Sequence, residues 1–150
     1  MISSDRLADL LGTWFGCGLV PLAPGTVGSF GAIPLHLLLR RTSPAVHIGA
    51  IAAVTALGVW SAGSIARRQG QEDPQIVVID EVIGTLLALG LVRTRSPFAA
   101  TVAFGLFRLF DATKPGPIKR LEHVKPAGWG IVLDDVAAGV LAGVVARLFR

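Results

Sequence analysis

"IVVIDEVIGTLLALGLV", residues 76–92, is apolar along almost its whole length and yet carries two adjacent carboxylates, Asp80 and Glu81. An ionisable group inside a membrane helix costs on the order of 2.5–3.5 kcal/mol on the insertion scale, so acids in such a run need a reason to be there. The composition makes the question sharper. Hydrophobic residues make up 52% of the chain, charged residues only 16%, and Tyr is absent. With a mean hydropathy of +0.64 there is too little polar surface to clothe a water-facing domain. The expectation is an all-α, polytopic membrane helix bundle formed as one domain over residues 1–150.

A hydrocarbon core of ~30 Å needs about 20 helical residues. Residues 42–66 meet this alone, being free of Asp, Glu, Lys and Arg and ending at Arg67 and Arg68. The runs 76–92, 97–111 and 131–148 approach spanning length only if their acidic ends count as helix. The apolar stretch 10–39 is broken by "VPLAPGTVGS" (20–29), whose Pro21, Pro24 and Gly25 interrupt a helix. It divides into an amphipathic helix near residues 4–15, a loop, and a membrane helix from about residue 26 to 39. About five membrane helices plus the N-terminal amphipathic helix result. The opening "MISSDRLADLLG" has no basic leader or small-residue cleavage site and does not read as a signal peptide, and the single Cys17 cannot form an internal disulfide.

Threading these helices through a bilayer puts Asp80 and Glu81, Asp111, and Asp134 and Asp135 at helix ends on one face, joined there by the loop "APGTVGS". Basic residues do not orient the molecule. Arg6, Arg67, Arg68, Lys114, Lys119, Arg120 and Lys125 fall on the acidic face, and Arg40, Arg41, Arg93, Arg95, Arg147 and Arg150 on the other. Short basic clusters between apolar runs suit anionic lipid headgroups. Nucleic acid fits poorly, because no long basic helix or aromatic-basic pattern occurs. Gly139 and Gly143 form a GxxxG, which is either a close-packing seam or chance in a Gly-rich chain.

Five carboxylates on one face must be protonated, paired or bound to a cation, since like charges at ~4 Å repel by roughly 4 kcal/mol at an effective dielectric of about 20. Arg108, Asp111 and Lys114 follow one another at spacings of three, just before Pro115. These two bases cannot neutralise all the acids, and a divalent metal is the natural complement. All-oxygen ligands favour Mg²⁺ or Mn²⁺ over Zn²⁺, and His36, His47 and His123 are too scattered for a zinc site. In the loop, Thr26 can cap the following helix, and Gly28 and Ser29 leave its first amides open to an anion, which makes half of a phosphate site. Cysteine, aspartyl and histidine phosphatase chemistries lack their motifs. Cys17 has Ala23 six residues on, and no DxD or paired-His motif occurs, which leaves metal-assisted attack by water. A small proton- or ion-coupled transporter with buried carboxylates is the alternative, and it would spread the acids near the midplane.

Four ordered stretches, "CGLVPLAPGTVGSFGAIP" (17–34), "IDEVIG" (79–84), "FRLFDATKPGPI" (107–118) and "GWGIVLDDVAAGV" (128–140), resemble the phosphatidylglycerophosphatase A family of bacterial membrane phosphatases. The resemblance runs nearly end to end, with residues 40–75 matching in hydropathy only. It implies a Mg²⁺-dependent hydrolase that removes the terminal phosphate of phosphatidylglycerophosphate, giving phosphatidylglycerol in the bacterial cytoplasmic membrane. The phospholipid is the partner, no obligatory protein partner is implied, and the acidic face would be cytoplasmic. Carried over by motif, Asp80, Glu81, Asp111, Asp134 and Asp135 would be metal ligands. Asp80, Glu81, Asp111 and Lys114 would serve catalysis, and Arg108, Lys114, Thr26 and Ser29 would hold the phosphate.

Overall fold

The computed structural model describes residues 3–92 and 96–149, so Arg93, Arg95 and Arg150 of the charge count lie outside the described residues. Among the described residues the fold is all-helical, with eight α-helices, two short 3-10 turns and no strand. The helices are α1 (Ser4–Gly12), α2 (Pro24–Gly31), α3 (Ile33–Leu39), α4 (Pro44–Gln69), α5 (Ile79–Val92), α6 (Pro97–Thr113), α7 (Ile118–Leu121) and α8 (Ala127–Ala146).

The all-α expectation holds, and of the five membrane spans expected one is clear. Among the described residues only α4 is long and apolar enough, by length and composition, to cross a membrane. The helix expected over 26–39 begins earlier and is two helices, because Pro34 has no N–H for the Phe30 carbonyl and the chain restarts from Ala32. At ~1.5 Å per residue, the 14 residues of α5 rise about 21 Å.

The opening stretch owes its apolar character to burial on all sides. α5 packs against α2, α3, α4, α6 and α8, and Val82, Ile83, Leu86, Ala88 and Val92 are fully enclosed. A helix apolar all round is the signature of a bundle's centre as much as of a membrane span.

The seam between α5 and α8 is built of small residues. A Cβ on Gly139 would strike the Gly84 carbonyl and lie 2.9 Å from its Cα, and one on Gly143 would lie 2.7 Å from the Leu91 Cβ. The GxxxG is therefore a packing seam, and it brings the α8 backbone onto α5. Phe107 of α6 closes the seam with 0% exposure, its ring against Gly84. Phe107→Ala is expected to cost about 3–5 kcal/mol, read as a lower midpoint in thermal unfolding of the purified protein in detergent.

The helix-end placement of the acids holds for Asp80 and Glu81, in the first turn of α5, and for Asp111, in the last turn of α6. It fails for Asp134 and Asp135. α8 begins at Ala127 rather than near 131, so the pair lies two turns inside the helix. The Gly-rich start is helical because it is pressed against backbone. A Cβ on Gly128 would strike the Val59 carbonyl, and one on Gly130 would lie 2.5 Å from the Glu122 carbonyl.

Candidate active site

Three clamps fix the start of α5. The Val78 amide donates to the Gly12 carbonyl at 2.9 Å. Gly18 lies so close to the Ile76 carbonyl that a side chain there has no room, and a Cβ on Gly28 would lie 2.7 Å from the Val78 Cβ. These contacts hold α1, the loop after it and α2 against the segment that delivers Asp80 and Glu81. Ala23, at a left-handed φ of 50°, turns the chain into α2, with Pro24 at the helix start where a missing N–H costs nothing. Gly25 then sits directly on the Glu81 carboxylate, and a Cβ there would collide with Oε1.

From α6, Arg108 reaches under this loop. Its Nη1 donates to Asp111 Oδ2 at 2.7 Å and to Ser29 Oγ at 3.4 Å, and lies 3.9 Å from Glu81 Oε1. Ser29 Oγ in turn donates to the Gly25 carbonyl at 3.0 Å. One guanidinium thus ties α2, α5 and α6 together. Lys114, at the left-handed C-cap of α6, places Nζ 2.6 Å from Asp134 Oδ2 and 3.0 Å from Glu122 Oε2. Burial works against its ammonium, but the hydrogen bonds to Asp134 and Glu122 outweigh burial and raise its pKa, so it stays charged at any ordinary pH. The Lys114 hydrogen bond likewise holds the Glu122 carboxyl below the usual range.

These elements wall a cleft of about 400 Å³, lined by Asp80 and Glu81, Asp111 and Lys114, Asp134 and Asp135, and by Pro21, Ala23, Pro24 and Gly25 of the loop. At its floor, Asp80, Glu81 and Asp135 can each offer an oxygen within 4.8 Å of the others. Asp80 Oδ1, Glu81 Oε2 and Asp135 Oδ2 are buried without a hydrogen-bond partner. Acceptors left unpaired in a low dielectric are costly, and three hard oxygens from three converging carboxylates fit a divalent cation.

The expected site residues separate by role. Asp80, Glu81 and Asp135 form the cluster that could hold a metal. Asp111 and Asp134 line the same cleft but are engaged by Arg108 and Lys114. Ser29 is buried beneath Arg108, and Thr26 lies half-buried on the first turn of α2 without lining the cleft. Two acids were not among those expected. Asp73 lines the cleft from the α4–α5 loop, and Glu122 shares Lys114 with Asp134. Both sit in polar loops ("QEDPQ" and "RLEHV"), where an acid needs no special reason. Only Pro74, buried beside Asp73, hinted at a fixed segment.

The model of one protein family, phosphatidylglycerophosphatase A, matches residues 10–150. The chain belongs to the phosphatidylglycerophosphatase A family. Relatives named phosphatidylglycerophosphatase A occur in Escherichia coli, at 34% identity over 89% of this chain and 77% of that protein, and in Haemophilus influenzae, at 34% over 91% and 84%. A Bacteroides thetaiotaomicron protein, provisionally named a phosphatidylinositol-3-phosphatase, is 37% identical over 96% of this chain and 94% of its own. No solved structure is a significant match. All four stretches that carry the family resemblance supply lining residues to the one cleft: Pro21 with Ala23, Pro24 and Gly25, Asp80 with Glu81, Asp111 with Lys114, and Asp134 with Asp135. Family membership gives the transporter reading no support.

Proposed function

We propose that this member of the phosphatidylglycerophosphatase A family hydrolyses the terminal phosphate of phosphatidylglycerophosphate to give phosphatidylglycerol, with Mg²⁺ as cofactor and Mn²⁺ as a substitute. The observation that carries the reading is the trio of unpartnered carboxylate oxygens on Asp80, Glu81 and Asp135, in a cleft whose rim bears Lys114. Asp80, Glu81 and Asp135 would hold the cation, with Asp111 and Asp134 close enough in the cleft to join them. A divalent ion there would supply Lewis acidity and offset the negative charge of a phosphate monoester.

The chain's own groups do the rest. Lys114 exchanges part of its pairing with Asp134 for a phosphate oxygen, and Arg108, anchored on Asp111 and Ser29, keeps a positive field beneath the loop. The water oxygen bonds to phosphorus as the phosphorus–oxygen bond to glycerol breaks, and a cleft carboxylate takes the water's proton and passes it to the leaving glycerol oxygen. The first turn of α2, whose Pro24 and Gly25 line the cleft, faces the phosphate side. α4 anchors the enzyme in the bacterial cytoplasmic membrane with the cleft at the cytoplasmic face. There a lipid phosphate at headgroup depth reaches the acids while its acyl chains stay in the bilayer. Exposed Leu19 and Leu22 beside the cleft-lining Pro21 suit that depth.

The test is the lipid product. Purified protein given phosphatidylglycerophosphate and phosphatidylinositol 3-phosphate in competition should yield phosphatidylglycerol first, identified by mass spectrometry. Preferential dephosphorylation of the inositol lipid would move the substrate assignment to the activity named for the Bacteroides relative. Arg108→Gln should lower kcat/KM by roughly 10²-fold, the scale of losing one preorganised charge-stabilising donor. Arg108→Lys should recover only part of it, because one ammonium cannot span Asp111, Ser29 and Glu81. Full activity in the Gln variant would remove Arg108 from the site.

A further inference from the structure

The bundle is sharply polarised in charge. All ten Asp and Glu residues belong to the half where α4 ends and α5 begins, either in the cleft or in ion pairs beside it such as Arg68 with Asp9 and Lys125 with Glu72. At the opposite end, where α3, α5 and α8 finish and α4 starts, stand Arg40, Arg41 and Arg147 without a single Asp or Glu. An apolar groove of about 390 Å³ opens there between α4 and α5, walled by Ile48, Ile51, Ala52 and Leu87 and also lined by His47 and Arg147.

Arg147 is held in place rather than neutralised. Its Nε donates to the Leu91 carbonyl at 2.9 Å, which fixes the guanidinium beside the groove, and no carboxylate pairs with it among the described residues. His47 Nδ1 faces the Leu39 carbonyl at 3.3 Å. The His47 ring is thereby held against the groove wall, and Arg147 is the cation at the groove's end. The groove therefore makes two demands at once, an aliphatic chain along its walls and an anion at its end. A soluble anion would leave the walls bare, and a zwitterionic lipid would bring its own cation up to Arg147. We propose that this groove binds one acidic phospholipid, with an acyl chain between α4 and α5 and its headgroup charge at Arg147, at a site separate from the acid cleft and independent of the reaction there.

The test uses the full-length protein in detergent, given equal amounts of palmitoyl-oleoyl phosphatidylserine and phosphatidylcholine, with retained lipid counted by native mass spectrometry. Neither lipid carries a phosphomonoester, so neither is a substrate for the cleft. The wild type should retain the serine lipid about fivefold over the choline lipid, the worth of one basic side chain at an anionic headgroup. Arg147→Gln should abolish the preference and Arg147→Lys keep it. Ala52→Trp, which fills an exposed part of the groove, should reduce retention of both lipids, while Lys114→Gln in the cleft should leave the preference for the serine lipid as it is in wild type. No preference in the wild type, a preference surviving Arg147→Gln, unchanged retention in Ala52→Trp, or a preference lost with Lys114→Gln would each overturn the proposal.

Discussion

Asp80→Asn is expected to lower phosphate release by roughly 10²-fold or more, because it removes a carboxylate from the cation cluster, whereas loss of an outer partner of a metal ligand typically costs 10- to 100-fold. Asn has nearly the same shape, so the fold should survive. What changes is charge: one of three acids whose oxygens lie within 4.8 Å of one another becomes neutral. Each fully charged pair at that separation repels by about 3 kcal/mol at an effective dielectric of about 20. The variant should therefore unfold at an equal or higher temperature than wild type in chelator, yet lose the stabilisation that Mg²⁺ gives the wild type. Asp135→Asn should behave in the same way. Asp111→Asn should also depress activity, but by releasing Arg108, so its Mg²⁺-induced stabilisation should largely persist. Phosphate release and thermal unfolding with and without Mg²⁺ check all three. An Asp80→Asn protein that keeps both its activity and its Mg²⁺ response would take Asp80 out of the cluster.

A large effect on both stability and activity is expected at Gly139. Even the methyl of Gly139→Ala would meet the Gly84 carbonyl, a backbone atom that cannot rotate away, and Gly139→Leu adds three more carbons to the same contact. Overpacking of a well-filled core costs typically 1–3 kcal/mol, and the leucine variant should lie at about 3 kcal/mol or above. Because Gly84 also abuts the Asp135 carbonyl at a would-be Cβ distance of 2.9 Å, prying α5 from α8 separates Asp80 and Glu81 from Asp135. Activity should fall with stability. Gly105→Ala on α6 is the control. A Cβ there meets nothing within 4 Å, so the exposed helix position should be unchanged or gain up to about 1 kcal/mol from higher helix propensity. Thermal unfolding of the three variants beside wild type separates the outcomes, and a Gly139→Leu protein with wild-type stability would contradict the seam.

The sequence made the acids legible because their setting was costly. Asp80 and Glu81 interrupt an apolar run, and so costly a placement implies partners of the kind that Asp111, Asp134 and Asp135 offer at other helix positions. The same reasoning was blind to Asp73 and Glu122, which occupy polar loops where a carboxylate is cheap. Helix class was readable from the apolar runs, and one span, α4, from its length. Hydropathy cannot tell a helix enclosed by neighbours, as α5 is, from one enclosed by lipid. The start of α8 was missed because "AGWG" has low helix propensity, and only its backbone contacts with α4 and the 122–124 turn show why glycine is needed there. The partners of Lys114 also required coordinates. A chain pattern that sets Arg108, Asp111 and Lys114 at helical spacing suggests one continuous ladder, yet Lys114 leaves the helix at the C-cap and turns to Asp134.

The central claim is that Asp80, Glu81 and Asp135 hold a divalent cation for hydrolysis of a lipid phosphomonoester. The most direct measurement is phosphate release from phosphatidylglycerophosphate by the purified chain in detergent, with Mg²⁺ and then with excess chelator. Release that requires Mg²⁺, stops on chelation and returns when Mg²⁺ is restored is the predicted result. No release with either Mg²⁺ or Mn²⁺, or release undiminished by chelation, would contradict it.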